Sequence, residues 1–66
     1  MQIQVNGEPL DARDCRTLGE LVERLGLAEK RIAVELNMEI IPRGEHAKTP
    51  LSEGDRVEIV HAIGGG

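Results

Sequence analysis

Three glycines, Gly64, Gly65 and Gly66, stand at the carboxyl end of this sequence and are the residues best suited to take part in chemistry. Glycine lacks a Cβ atom, so a glycine-rich segment can enter a narrow channel and leaves its carbonyl open to a nucleophile. Terminal segments are poorly ordered unless contacts tie them down. We therefore expect residues 62–66 to form a flexible reactive tail, with the carboxylate of Gly66 as the reacting group. The alternative is an inert, frayed end.

The other potentially reactive side chains form no recognisable catalytic or metal-binding pattern. Cys15 is the only cysteine, which excludes an intramolecular disulfide, and no histidine lies near it in the sequence to act as a base. We interpret it as a half-buried residue where a loop meets a helix. His46 and His61 lack a third ligand at a metal-binding spacing, so we expect no metal site.

The composition argues against nucleic-acid and membrane partners. The net charge is −4 and the aromatic content is 0%, so a basic face and stacking platforms for nucleic-acid bases are both missing. No apolar stretch approaches the roughly 20 residues that cross a bilayer. We expect a soluble cytoplasmic protein.

The first strands are predicted as a hairpin. Residues 2–5 alternate between polar and apolar types, and residues 8–11 form a short second strand. The Asn6-Gly7 pair between them favours a type I′ turn, because both positions tolerate positive φ. Pro9 has no N–H group to donate, which places the second strand at a sheet edge.

A helix follows this hairpin. Thr17 and Glu20 match a capping box, in which the hydroxyl accepts from the Glu20 N–H and the carboxylate reaches back. Gly26 then favours a left-handed helix end with Leu27 folded back on Val22. The apolar stripe of the helix consists of Leu18, Leu21, Val22 and Leu25.

The remaining chain is predicted to complete a sheet that the helix covers. Residues 32–36, 39–41 and 56–60 are predicted strands, whereas residues 43–49 are predicted to be polar and irregular. The economical packing lays the helix across one face of a mixed four- to five-stranded sheet, with the last strand between the first and the third. This is an α+β fold, the β-grasp or ubiquitin-like roll, and we assign it to residues 1–61.

Aliphatic residues near the carboxyl end are candidates for partner docking. Val57 and Ile59 are expected to face the core, so Val60 should point to the opposite sheet face. Ala62 and Ile63 lie beyond the strand. Exposed aliphatic side chains that lead into a reactive tail would suit the docking groove of a partner protein.

Several segments match a known pattern: residues 3–8, 17–21, 32–37, 41–43 and 51–59, together with the terminal Gly65-Gly66. Over essentially all 66 residues the chain resembles the small ubiquitin-like sulfur carriers that supply sulfur for the thiazole ring of thiamine. The functional motif of that family is the terminal diglycine. Gly64 departs from family tails that carry another residue at this position.

The resemblance implies a carrier rather than an enzyme. An adenylyltransferase related to ubiquitin-activating enzymes would adenylate the Gly66 carboxylate with ATP, and a persulfide derived from a cysteine desulfurase would convert it to a thiocarboxylate. Thiazole synthase would receive the sulfur. Gly64 and Gly65 would thread into these partners. The resemblance implies no cofactor on this chain, because ATP and metal belong to the adenylating partner.

Related functions remain open at this point. The small subunit of molybdopterin synthase and other ubiquitin-like sulfur carriers resemble this family in fold and in their reactive end. A β-grasp module that only binds a partner through its sheet is a further alternative.

Overall fold

The computed structural model describes residues 1–62, which form one mixed five-stranded sheet and one α-helix. The strands are β1 (Gln2–Val5), β2 (Glu8–Asp11), β3 (Ile32–Leu36), β4 (Glu39–Ile41) and β5 (Arg56–His61), and the helix is α1 (Leu18–Arg24). The sheet order is β2-β1-β5-β3-β4. Only the β1–β5 pair among the strand pairs of residues 1–62 is parallel. The predicted β-grasp fold and the central position of the last strand are confirmed.

Two tight turns set the register of the outer strands. In the β1–β2 turn φ is 53° at Asn6 and 84° at Gly7, and in the β3–β4 turn φ is 52° at Asn37 and 73° at Met38. Positive φ at both central residues is the signature of the type I′ turn, whose twist matches that of the strands it joins. As predicted, β2 lies at a sheet edge, with Pro9 opposite Gln4.

Both ends of α1 are formed by local hydrogen bonds. The hydroxyl of Thr17 accepts from the Glu20 N–H at 3.2 Å, as the capping box requires. The Glu20 carboxylate also reaches back, but it accepts from the N–H of Arg16 at 2.6 Å rather than from the N–H of Thr17, the N-cap residue. At the other end Gly26 has φ of 77°, and the Leu27 N–H donates to the Val22 carbonyl at 3.0 Å. This is the predicted left-handed helix end.

The prediction that residues 43–49 are irregular is wrong, because Arg43–Lys48 forms a 3-10 helix. The segment packs against α1 so closely that a Cβ atom on Gly19 would lie 3.2 Å from the Ala47 Cα. Contacts of this kind join residues far apart in sequence, and polar composition alone does not reveal them. The glycine in the first turn of α1 is thus explained by the close approach of two backbones.

The core lies between α1 and the inner face of the sheet. Its largest fully buried side chains are Leu18, Leu21, Val34 and Val57. Two of these come from the helix and two from neighbouring strands β3 and β5, which confirms that the helix packs across one sheet face. None of the helices formed by residues 1–62 is long and apolar enough to cross a membrane.

Candidate functional site at the end of the central strand

The central strand β5 carries the chain toward its carboxyl end. His61, its last residue, pairs with Ile32 on β3. The next residue, Ala62, donates its N–H to the Arg31 carbonyl at 2.9 Å. The main chain is therefore held by hydrogen bonds up to Ala62, which is exposed. Ile63, Gly64, Gly65 and Gly66 lie outside the described residues, so their predicted roles stay predictions.

The loop that holds Ala62 is itself tied down by Arg43. The Arg43 guanidinium donates through Nη1 to the Ala28 carbonyl at 2.7 Å, and through Nη2 to the Lys30 carbonyl. A guanidinium presents several N–H donors in a rigid fork, which suits two carbonyls of one loop. Arg31, whose carbonyl accepts from Ala62, directly follows Lys30. Arg43 thus supports the loop to which the Ala62 N–H is hydrogen-bonded.

Sequence reasoning did not assign this role to Arg43. The residue belongs to the 41–43 segment that carries the family resemblance, but its type alone indicates a solvated cation. Its contacts join positions that are 15 and 13 residues apart. A usable signal would have been a single arginine directly after the Pro42 that ends a strand, because arginine there can satisfy loop carbonyls.

Val60 lies on the sheet face opposite α1, as predicted, and 60% of its surface is exposed. Its neighbour across the sheet is Ala33 on β3, which is also exposed. A further exposed aliphatic residue on this face is Ile40 of β4, at 68%. Val60 and Ala62 lie on either side of His61, the last residue of β5, and both are exposed. Their role in docking stays a prediction.

Of the remaining candidate side chains, Cys15 and His46 are buried and His61 is exposed. Cys15 is buried rather than half-buried, with 3% of its surface exposed, and the Arg24 guanidinium donates to its Sγ at 3.8 Å. His46 is buried too, and its Nε2 lies 3.0 Å from the Ile41 carbonyl. His61 is exposed on β5. Residues 1–62 contain no group of three or more His, Cys, Asp or Glu side chains arranged to hold a metal ion.

One carboxyl group far from this end of β5, that of Asp11, has a shifted pKa. The hydrogen bond from Arg13 lowers the pKa of Asp11 below its usual value. The Arg13 Nη2 lies 2.7 Å from the Asp11 Oδ2. Both side chains are well exposed, so this is a surface ion pair that positions the β2–α1 loop rather than a reactive group.

A family model, a curated protein and a solved structure that carry the same family name are all similar to this chain. The model of the ThiS family matches residues 3–66. The sulfur carrier protein ThiS of Bacillus subtilis is 35% identical over 65 residues, which cover 97% of this chain and 98% of that protein. A crystal structure of the thiamine biosynthesis protein ThiS from Geobacter metallireducens superposes with a TM-score of 0.83 at 33% identity, and the match covers 100% of both chains.

A longer protein also contains a similar segment. The thiazole synthase of Magnetococcus marinus is 44% identical over 66 residues, which cover 100% of this chain and 20% of that protein. The chain thus spans about a fifth of the length of this relative.

Proposed function

The chain belongs to the ThiS family, and we propose that it carries sulfur on the carboxyl group of Gly66 during thiamine biosynthesis. Three curated relatives are named sulfur carrier proteins, which supports a carrier role rather than an enzymatic one. The observation that carries the proposal is the family match, which extends through Gly65 and Gly66 to the last residue of the sequence.

The proposed chemistry takes place in three steps on the carboxyl group of Gly66. An ATP-dependent adenylyltransferase joins a Gly66 carboxylate oxygen to the α-phosphorus of ATP, and pyrophosphate leaves. A persulfide then attacks the carbonyl carbon of the acyl-adenylate, and AMP leaves. A thiol cleaves the resulting S–S bond, which gives the thiocarboxylate and a disulfide. The persulfide sulfur originates from a cysteine desulfurase.

ATP and its metal belong to the adenylating partner in this proposal, and no cofactor is assigned to this chain. The chain supplies an anchored base and a short reactive end. The hydrogen bond between the Ala62 N–H and the Arg31 carbonyl supports this division, since it holds the main chain immediately before residues 63–66. Four residues span at most about 14 Å when fully extended. Gly64 and Gly65 are proposed to enter the partner active sites within that reach.

Thiazole synthase is the proposed recipient of the sulfur. Two relatives with this name, from Magnetococcus marinus and Paramagnetospirillum magneticum, contain a segment similar to the whole of this chain. A carrier and an acceptor joined in one polypeptide meet at a high effective concentration. We propose that Val60, Ala62 and Ile63 contact the partners when the carboxyl end enters.

The test is the intact mass of the chain after incubation with ATP, a ThiS-family adenylyltransferase and a persulfide donor. We expect a gain that corresponds to the exchange of one oxygen atom for sulfur. A chain that lacks Gly65 and Gly66 is the matched control, and it should show no gain while its melting temperature stays unchanged. An unchanged mass for the full chain, with an adenylyltransferase active on its own carrier, contradicts the proposal and favours a module that only binds.

A further inference from the structure

The chain contains two asparagines, Asn6 and Asn37, and each is the first residue of a tight turn between two strands. Their backbones are alike, with φ of 53° at Asn6 and 52° at Asn37. Each side-chain amide donates one hydrogen bond and accepts another. The next residue differs, because Gly7 follows Asn6 whereas Met38 follows Asn37. The two asparagines therefore have similar surroundings in the fold but different neighbours in the sequence.

An asparagine that precedes a glycine can lose its side-chain nitrogen without an enzyme. The Gly7 backbone nitrogen passes its proton to water and attacks Cγ of Asn6. The bond from Cγ to Nδ2 then breaks, and the nitrogen takes a proton from water and leaves as ammonia. Water opens the resulting cyclic imide at either of its carbonyls, which gives aspartate or isoaspartate. Glycine favours the first step because no Cβ atom crowds the attacking nitrogen, whereas Met38 has a Cβ atom at this position.

The folded chain directs the amide of Asn6 away from this reaction. Its Oδ1 accepts from the Ile59 N–H at 2.8 Å, and its Nδ2 donates to the Ile59 carbonyl at 3.2 Å. These bonds turn the side chain toward β5, whereas the reaction requires Cγ to meet the nitrogen of Gly7 in its own strand connection. Both bonds must therefore break before the ring can close. Local openings of this kind need less free energy than global unfolding.

We propose that Asn6 is a site of spontaneous deamidation, and that its two hydrogen bonds to Ile59 keep the site closed in the folded chain. Each opening of this contact exposes Asn6 to attack by Gly7. The product does not revert, because the nitrogen has left as ammonia. The site therefore keeps an irreversible record of how often this part of β5 has opened. The inference goes beyond the proposed function and does not depend on the chemistry of Gly66.

The product cannot restore the contact with β5. A carboxylate oxygen can accept from the Ile59 N–H, but the other oxygen has no hydrogen to donate to the Ile59 carbonyl. Two acceptors then face each other where a donor met an acceptor, which is unfavourable. Isoaspartate also adds an atom to the backbone of the tight turn. Because β5 ends at His61, two residues after Ile59, conversion weakens the hold on the strand that leads to the carboxyl end.

The experiment follows the masses of the full chain and of its peptides during incubation at mildly alkaline pH, in buffer and in guanidinium chloride. Conversion exchanges the NH2 group for OH, a mass change distinct from the exchange of oxygen for sulfur. We expect Asn6 to be converted at least about tenfold faster in the denatured chain than in the folded chain. Asn37 is the internal control. In guanidinium chloride it should be converted more slowly than Asn6, since only the next residue then differs.

Two variants test the opening of the contact and its consequence. Ile59→Val leaves Asn6 and Gly7 unchanged but removes a methyl group from a side chain that is 6% exposed. Its conversion at Asn6 should be at least about twofold faster than that of the wild type in buffer and equal to it in guanidinium chloride. Asn6→Asp reproduces one product directly, and its melting temperature should be lower by about 4 °C or more.

Four results would overturn the inference. Equal rates at Asn6 in the folded and denatured chains would show that the bonds to Ile59 do not close the site. Equal rates at Asn6 and Asn37 in guanidinium chloride would show that Gly7 does not favour the reaction. An Ile59→Val chain that is converted no faster than the wild type in buffer would reject opening as the controlling step. An unchanged melting temperature for Asn6→Asp would reject the loss of the contact with β5.

Discussion

The side chain of Asn6 pairs with the backbone of Ile59 through two hydrogen bonds. Its Nδ2 donates to the Ile59 carbonyl at 3.2 Å, and its Oδ1 accepts from the Ile59 N–H at 2.8 Å. The β1–β5 ladder pairs Gln4 with Arg56 and Val5 with Val57. The main chain of β1 does not pair with β5 beyond this point. The side-chain amide of Asn6 therefore supplies the donor and the acceptor that bond the backbone of Ile59.

Asn6→Ala should destabilise the protein because it leaves the N–H and carbonyl of Ile59 without partners. We expect a loss of about 1–3 kcal/mol in the free energy of unfolding, measured by urea denaturation. Asn6→Gly separates two effects, since glycine accepts the φ of 53° at this position but cannot form the bonds. If Asn6→Gly were as stable as wild type, the two hydrogen bonds would contribute little.

Gly19→Ala should destabilise the protein even though alanine is the better helix former. The added Cβ would lie 3.2 Å from both the Cα and the backbone N of Ala47, so the backbone must move. We expect a net loss of about 1–2 kcal/mol in the free energy of unfolding. Glu23→Ala, at an exposed site of the same helix, should be nearly neutral. A gain in stability for Gly19→Ala would show that the 3-10 helix moves away from the added methyl group at little energetic cost.

Met38→Gly should stabilise the protein. Met38 adopts φ of 73°, and 90% of its surface is exposed. Its backbone is therefore strained in the left-handed region, and its side chain makes few packing contacts that could offset this strain. We expect a gain of about 1 kcal/mol, measured by thermal or urea unfolding. Met38→Ala keeps a Cβ atom at positive φ and should show no comparable gain. Equal effects of the two variants would contradict a backbone origin.

Arg43→Lys should loosen the loop that holds Ala62 without unfolding the core. Lysine keeps the positive charge but lacks the fork that reaches the carbonyls of Ala28 and Lys30. We expect hydrogen exchange at the Ala62 amide to accelerate about tenfold or more, while the Val57 amide in central β5 changes little. Unchanged exchange at Ala62 would show that the loop holds its position without Arg43.

Much of this fold follows from signals that lie within a few residues of one another. The Asn6-Gly7 turn, the Thr17 cap and the Gly26 helix end each depend on φ preferences and short-range hydrogen bonds, and sequence patterns reveal these. The alternation of Val57 and Ile59 predicted the buried face of β5. The family resemblance was visible for the same reason, because its motifs are short segments of the chain.

Contacts between distant parts of the chain were not visible in the sequence. The packing of the 3-10 helix Arg43–Lys48 against Gly19 of α1, the bonds of Asn6 to Ile59 and the fork of Arg43 all join residues that no local pattern relates. The pairing of Glu35 with Glu58 depends on the register of β3 against β5. Side-chain type limits what a residue can bind, but the packing of α1 on the sheet and the strand register determine which partners come within reach.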